Sequence, residues 1–260
     1  MDAVERTWPN KCDLFGVRVS ATSYDEVVEA ITQAALRNQS AAVTAFAVHG
    51  LVTAAREHEY RDMVNTFEVI SPDGQPVRWA LNKFYKTNLK DRVYGPEMML
   101  RCCKRAAKEG IGVYLYGSKP HIMEPLVRNL SLQCPGLRIV GAETPENFPL
   151  TPEQTESLIK RINDSGAGLL FLGLGCPRQE IFCYENHDKI NAVTLCVGAA
   201  FDFHAGVKSM APAWMQKRGL EWLFRLWCEP RRLWRRYLVT NTTFMMMVAG
   251  RMLRAPRPGR

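Results

Sequence analysis

Two short stretches of this 260-residue chain combine residue types and spacing suited to chemistry on an anionic substrate. Ser71-Pro-Asp-Gly74 sets a carboxylic acid, Asp73, between a proline that restrains the chain and a glycine that leaves room for a ligand. Asp-Gly is first of all a turn signal, so Asp73 reads either as a turn residue or as a general base acting on a sugar hydroxyl. Leu170-Phe-Leu-Gly-Leu-Gly-Cys-Pro-Arg-Gln-Glu180 reads as a strand, a glycine turn and a helix with Pro177 in its first turn. Backbone amides at a helix start and the positive end of its dipole favour a diphosphate, and Gly173 and Gly175 would let the backbone approach it closely. Arg92 and Arg178 could neutralise a departing diphosphate. The turns at Gly117-Ser118 and Val197-Gly-Ala-Ala200 could line the same crevice. His49, on an apolar stretch, reads as a core or helix-start residue.

Several chemistries drop out. A dinucleotide fingerprint needs a third glycine where this chain has Arg178, which weakens a nicotinamide-dependent oxidoreductase, and no Gly-Lys-Ser/Thr follows the glycine turn. Neither a Ser/His/Asp, a Cys/His nor an H-E-x-x-H arrangement is present. The eight cysteines include no CxxC pair and no zinc-like spacing, so they read as reduced, mostly buried thiols.

The elements that must position these residues follow from hydrophobic period and turn chemistry. Residues 13–21 predict a strand or hairpin, and the capping box at Ser23 opens a helix to about Arg37. A buried strand is expected at 41–47, helices at 49–58 and 59–67, a break from Glu68 through Gly74, and helices at 75–84 and from Pro96 to Gly110. Strands at 112–117, 137–142, 169–173 and 193–197 then alternate with helices capped by Ser118, at 152–163 and at 177–187. Such βαβα order predicts a Rossmann-like parallel sheet covered by helices, with ligands gathered at the carboxyl ends of its strands. Only helices are expected after Gly206.

Charge divides the chain at the same place. At 47% hydrophobic and 23% charged residues the composition is that of a globular protein, yet the net charge of +8 is uneven. From His204 onward twelve basic residues face two acids, Glu221 and Glu229, while the rest of the chain holds 22 basic and 24 acidic residues. We therefore expect an α/β catalytic domain over 1–205 and a basic helical appendage over 206–260. The tail also holds Trp214, Trp222, Trp227, Trp234 and Tyr237. Arg with Trp suits a lipid headgroup boundary, single-stranded nucleic acid, or a solvated helix face over an ordinary core, and composition does not choose among them. No stretch reaches the 18 to 20 apolar residues of a membrane span, and the first ten residues do not resemble an export signal.

With these stretches in hand, the chain resembles the WecG/TagA/CpsF family of bacterial glycosyltransferases from about Leu14 to Tyr237. The residues that carry the likeness are Ser71-Pro-Asp-Gly74, Arg92-Val-Tyr-Gly95, Val113-Tyr-Leu-Tyr-Gly117, Gly173 to Glu180, Val197-Gly-Ala-Ala-Phe-Asp202, and Ala211-Pro-x-Trp214 through Arg235-Arg-Tyr237. The resemblance implies an inverting transferase that moves a sugar (N-acetylmannosamine, its uronic acid or glucose) from a UDP-sugar to an undecaprenyl-diphosphate-linked saccharide. The product would be envelope or exopolysaccharide, made at the cytoplasmic membrane face. It assigns Asp73 as base, Thr44, Arg92, Gln179 and Asp202 to the substrate pocket beside the turns at Gly117, Gly173, Gly175 and Arg178, and Arg225, Arg232 and Arg235 to a membrane-binding tail that closes over the diphosphate. It further implies no essential metal or cofactor, no nucleic-acid partner, a peripheral cytoplasmic location and self-association. Many relatives carry Asn where this chain has Phe46, which leaves the contacts there and the sugar open.

Overall fold

The computed structural model describes residues 8–254. The chain opens with an antiparallel hairpin, β1 (Lys11–Leu14) and β2 (Val17–Ser20), followed by α1 (Tyr24–Leu36), whose Ser23 cap and Glu26 form the reciprocal capping box. Then come β3 (Ala41–Phe46), α2 (Val48–Arg56), α3 (His58–Asn65), β4 (Val69–Pro72), α4 (Gln75–Tyr85), α5 (Gly95–Glu109), β5 (Gly112–Gly117), α6 (Pro120–Gln133) and β6 (Arg138–Glu143). The body ends with α7 (Pro152–Asp164), β7 (Ala167–Gly173), α8 (Arg178–Asn186), β8 (Val193–Cys196) and the short α9 (Ala200–His204). Three helices complete the described chain: α10 (Ala213–Lys217), α11 (Glu221–Cys228) and α12 (Pro230–Arg254).

Six strands form one all-parallel sheet in the order β4-β3-β8-β7-β5-β6, the Rossmann-like arrangement expected. Its central strands read as unbroken apolar runs because both faces are covered. One core layer holds Leu51, Tyr60, Leu81, Leu170 and Phe182, the other Ile31, Met98, Leu115, Leu126 and Phe171. Registers Thr44↔Cys196, Leu172↔Cys196 and Gly117↔Gly173 bring the carboxyl ends of β3, β8, β7 and β5 to one edge. Close approach there requires glycine. A Cβ on Gly117, whose φ is +124°, would stand 2.7 Å from the Gly173 carbonyl carbon, and one on Gly173 would stand 2.5 Å from the Phe201 ring.

Three local expectations are corrected. The break expected from Glu68 is a strand through Pro72; β4 is an edge strand, so the proline's missing N–H costs no ladder bond. Ser118 does not cap α6: its φ of 59° belongs to the turn, and Lys119 precedes Pro120 at the helix start without a side-chain cap. Pro177 occupies the N-cap of α8 rather than its first turn.

The tail packs by a narrow stripe. Leu233, Thr240 and Phe244 of α12 are buried, Phe244 edge-on to Phe15 of the hairpin at 6.0 Å, and Arg251 donates to the Asp13 carbonyl at 2.7 Å and lies over the Phe84 and Tyr85 rings. Its other faces carry large apolar side chains into solvent, with Trp227 on α11 and Leu253 each 87% exposed. No described helix is long and apolar enough to cross a membrane. The cysteines are all free thiols, with Cys102, Cys103, Cys134, Cys183 and Cys196 buried.

Candidate active site

Asp73 leaves the end of β4 directly over the sheet's carboxyl edge. Its backbone amide donates to the Phe46 carbonyl at 3.2 Å, and its Oδ2 accepts the Gly95 amide at 3.2 Å, at the start of α5. A Cβ at Gly95 would make only ordinary contact, 3.5 Å from Asp73 Oδ2 and 3.6 Å from Ala45, so the position places the amide without requiring glycine for space. Burial pushes the Asp73 carboxyl up to about 6; Arg92 and Arg225 pull against that rise, and Glu221 adds to it. A carboxylate so poised is mostly ionised at neutral pH yet basic enough to accept a proton.

The surrounding cations come from both parts of the chain. Arg92 is buried and makes an ion pair through Nη1 with Glu221 Oε2 of α11, while its Nη2 donates to Gln216 Oε1 at 3.4 Å. Arg225 donates to Tyr94 Oη at 3.1 Å and to the other Glu221 oxygen at 3.2 Å, and its guanidinium lies 5.2 Å from the Phe203 ring centre. Burial works against both charges, but the anionic partners win and hold both guanidinium groups in the charged form. Tyr24 Oη accepts the Tyr94 amide at 2.9 Å, one residue before the amide held by Asp73. Burial raises the phenols of both Tyr24 and Tyr94, so they remain neutral hydrogen-bonding groups.

A second cluster lies under the glycine turn. Glu180, on the first turn of α8, is buried and accepts at Oε1 from Thr44 Oγ1 and from Gln179 Nε2, both at 2.9 Å. Gln179 uses its own Oε1 to accept the Gly175 amide at 3.2 Å, so one amide of the expected phosphate turn is already engaged within the turn. Burial raises the Glu180 carboxyl, opposed by its bonds from Gln179 and Thr44. The Cys176 thiol, 3.4 Å from Tyr60 Oη, is pushed up to about 12 by burial and then by the Glu180 charge. Arg236 is felt electrostatically at both His49 and Cys176, and His49 is lowered chiefly by burial.

The structure thus gathers Asp73, Arg92 and Arg225 into one cluster and Thr44, Gly175 and Gln179 into another, with the Gly117 and Gly173 turns on the same sheet edge. Arg178 is exposed on α8, and Asp202 of α9 pairs with Lys208 at 3.3 Å. Arg235 is also exposed, stacked 5.2 Å from Trp234, away from these clusters' contacts, and the Arg232 side chain lies outside the described residues. Phe46 is buried against Gly50 and Tyr60, in the core layer of Leu51 and Phe182. Tyr24, Tyr94, Glu180, Glu221 and Arg236 were not singled out from sequence. Their partners lie far along the chain, 136 residues for Thr44 with Glu180, although Tyr94, Glu180 and Glu221 stand within the motif runs quoted above. Among the described residues, no group of three or more His, Cys, Asp or Glu could hold a metal ion.

A parallel α/β sheet carrying a buried carboxylate, nearby arginines and glycine turns at its carboxyl edge is an arrangement suited to group transfer. The model of the glycosyl transferase WecG/TagA/CpsF family matches residues 12–258, and the chain belongs to that family. Its members are glycosyltransferases of cell-envelope polysaccharide synthesis.

Proposed function

We propose that the chain transfers a sugar from a UDP-sugar to a polyprenyl-diphosphate-linked saccharide, with inversion at the anomeric carbon, on the inner face of the cell membrane. The observation that carries this reading is the Asp73 carboxyl at the sheet's carboxyl edge, bonded to the Gly95 amide, raised to about 6 by burial and felt electrostatically by Arg92 and Arg225. In the reaction Asp73 takes the proton from the acceptor hydroxyl as that oxygen bonds to the anomeric carbon. The bond from that carbon to the diphosphate oxygen breaks, and UDP departs with the electron pair. Arg92, Arg225 and the turn from Gly173 to Gln179 are suited to stabilise the charge that develops there, the contribution that usually dominates in such sites. N-acetylmannosamine, its uronic acid and glucose are the candidate donor sugars.

The same reading divides the chain into a catalytic body, 1–205, and a membrane-docking appendage, 206–260. Its support is the exposure of Trp214, Trp222, Trp227 and Trp234 beside tail arginines, an apolar and cationic combination that suits an anionic headgroup layer. UDP release from a panel of UDP-sugars, with and without a short-chain prenyl-diphosphate saccharide in lipid or detergent, tests the proposal. The expected result is acceptor-dependent release with one preferred donor. UDP that neither binds nor is released from any donor would overturn it.

A further inference from the structure

Glu221 of the tail reaches the Asp73 cluster, and it does so buried, with 7% of its surface exposed. Its two carboxylate oxygens are divided between two guanidinium groups that belong to different parts of the chain: Oε2 faces Arg92 Nη1 and Oε1 accepts from Arg225 Nη2 at 3.2 Å. Further contacts fix this junction. Gln216 accepts from Arg92 at 3.4 Å, Tyr94 Oη accepts from Arg225 at 3.1 Å, and the backbone at Gly219 packs so closely that a Cβ would stand 2.9 Å from the Trp79 ring and 3.2 Å from Gln75. Asp73 is faced by Arg92, Arg225, Glu221, Tyr24, Tyr94 and the Gly95 amide.

A bare cation pair beside a carboxylate would be free to turn toward it or toward solvent. A second, shared carboxylate removes that freedom, because each arginine then has a fixed anionic partner other than the base. We propose that Glu221 is a positioning residue: its carboxylate clasps Arg92 of the body to Arg225 of the tail and holds both guanidinium groups beside the Asp73 carboxylate. The clasp rests on the reading of Asp73 as base, and it adds a reason for an acid in a tail otherwise dominated by arginine. It also makes docking of the tail and the electrostatics of the base one event, since the same carboxylate serves both.

The test uses the full chain with Glu221→Gln and Glu221→Asp, read in two ways. The first is titration of the Asp73 carboxyl by carbon NMR in carboxyl-labelled protein, assigned by its loss in Asp73→Asn, which needs no substrate. The second is the pH profile of acceptor-dependent UDP release. With Glu221→Gln the arginines act on Asp73 without their competing anion, so its titration moves to lower pH by about half a unit or more. The acid limb of turnover follows, and kcat falls about tenfold or more as the guanidinium groups lose their fixed geometry. Glu221→Asp, which keeps the charge, restores most of the titration and part of kcat. An unmoved Asp73 titration in Glu221→Gln overturns the clasp, as does equal loss of kcat in the Gln and Asp variants with Asp73 unmoved, which would make Glu221 a docking contact alone. If the wild-type protein releases UDP from no donor, the assigned reaction fails while the NMR titration still decides the clasp.

Discussion

The body and the tail use similar residues to opposite ends. In the body, large apolar side chains are hidden on both faces of the sheet and arginines are tied to acids: Phe46, Phe171 and Phe201 are almost wholly buried, and Arg92 is paired with Glu221. On the tail, Trp227, Leu238, Met245 and Leu253 face solvent, and Arg235 stacks on Trp234. Burying apolar area stabilises by about 25 cal/mol per Å², so the exposed tail side chains represent contact energy that folding alone does not use. The body holds a geometry, whereas the tail leaves apolar side chains exposed, as the proposed docking requires, and the two touch at the Asp73 cluster.

That contrast predicts separable losses. The largest effect is expected at the chemistry itself: Asp73→Asn lowers turnover about 10²–10⁴-fold, the range for removing a positioned base, while UDP affinity measured by calorimetry stays within a few-fold of wild type. In the wild type, turnover falls as pH drops through about 6, because protonated Asp73 cannot accept the acceptor's proton. The stability effect has the opposite direction. With the folded carboxyl raised above its ordinary value of 3.8, the native state holds its proton longer than the unfolded chain does. Stability therefore declines as pH rises from about 4 to about 6, and Asp73→Asn flattens that decline in thermal melts.

Next in size is a buried side chain of the body's core. Phe46→Asn removes a fully buried ring packed on Gly50 and Tyr60 and leaves a buried amide in its place, at a cost of about 3–5 kcal/mol in denaturant unfolding. Liposome binding of the folded fraction should not change. Gly117→Ala follows, since its Cβ meets the Gly173 backbone and its φ is positive; about 1–3 kcal/mol of stability is lost, with turnover falling as the turn shifts. The smallest effect on the fold is expected in the tail. Trp227→Glu leaves the melting temperature unchanged and weakens binding to anionic liposomes about tenfold, because an apolar anchor is exchanged for a charge that anionic lipid repels. A Trp227→Glu protein that melts early yet binds lipid normally would erase the distinction between the two regions.

How much of this was legible in the sequence also differs between them. In the body, the apolar run at Gly112–Gly117 and the capping box at Ser23 gave their elements directly, since local period and cap chemistry decide both. β4 was not legible because only its place at the sheet edge makes Pro72 tolerable, and edge position is a property of the assembled sheet. Asp73, Thr44, Arg92 and Gln179 could be named from motifs, but Glu180 and Glu221 could not. Each bridges residues brought together only by the fold, as with Arg225 and Tyr94, 131 positions apart. For the tail, composition left three readings open, because which face of each helix the tryptophans occupy is a property of the packed chain and not of composition.

The central claim is that one carboxylate at the sheet edge serves as base for a single displacement at the anomeric carbon. Its most direct test is the configuration of the new glycosidic bond, read from the one-bond carbon–proton coupling at the anomeric centre of the first product formed from an α-linked UDP-sugar. The account predicts a β linkage, inverted relative to the donor. An α linkage would require two displacements or a different attacking group, and would contradict the role assigned to Asp73.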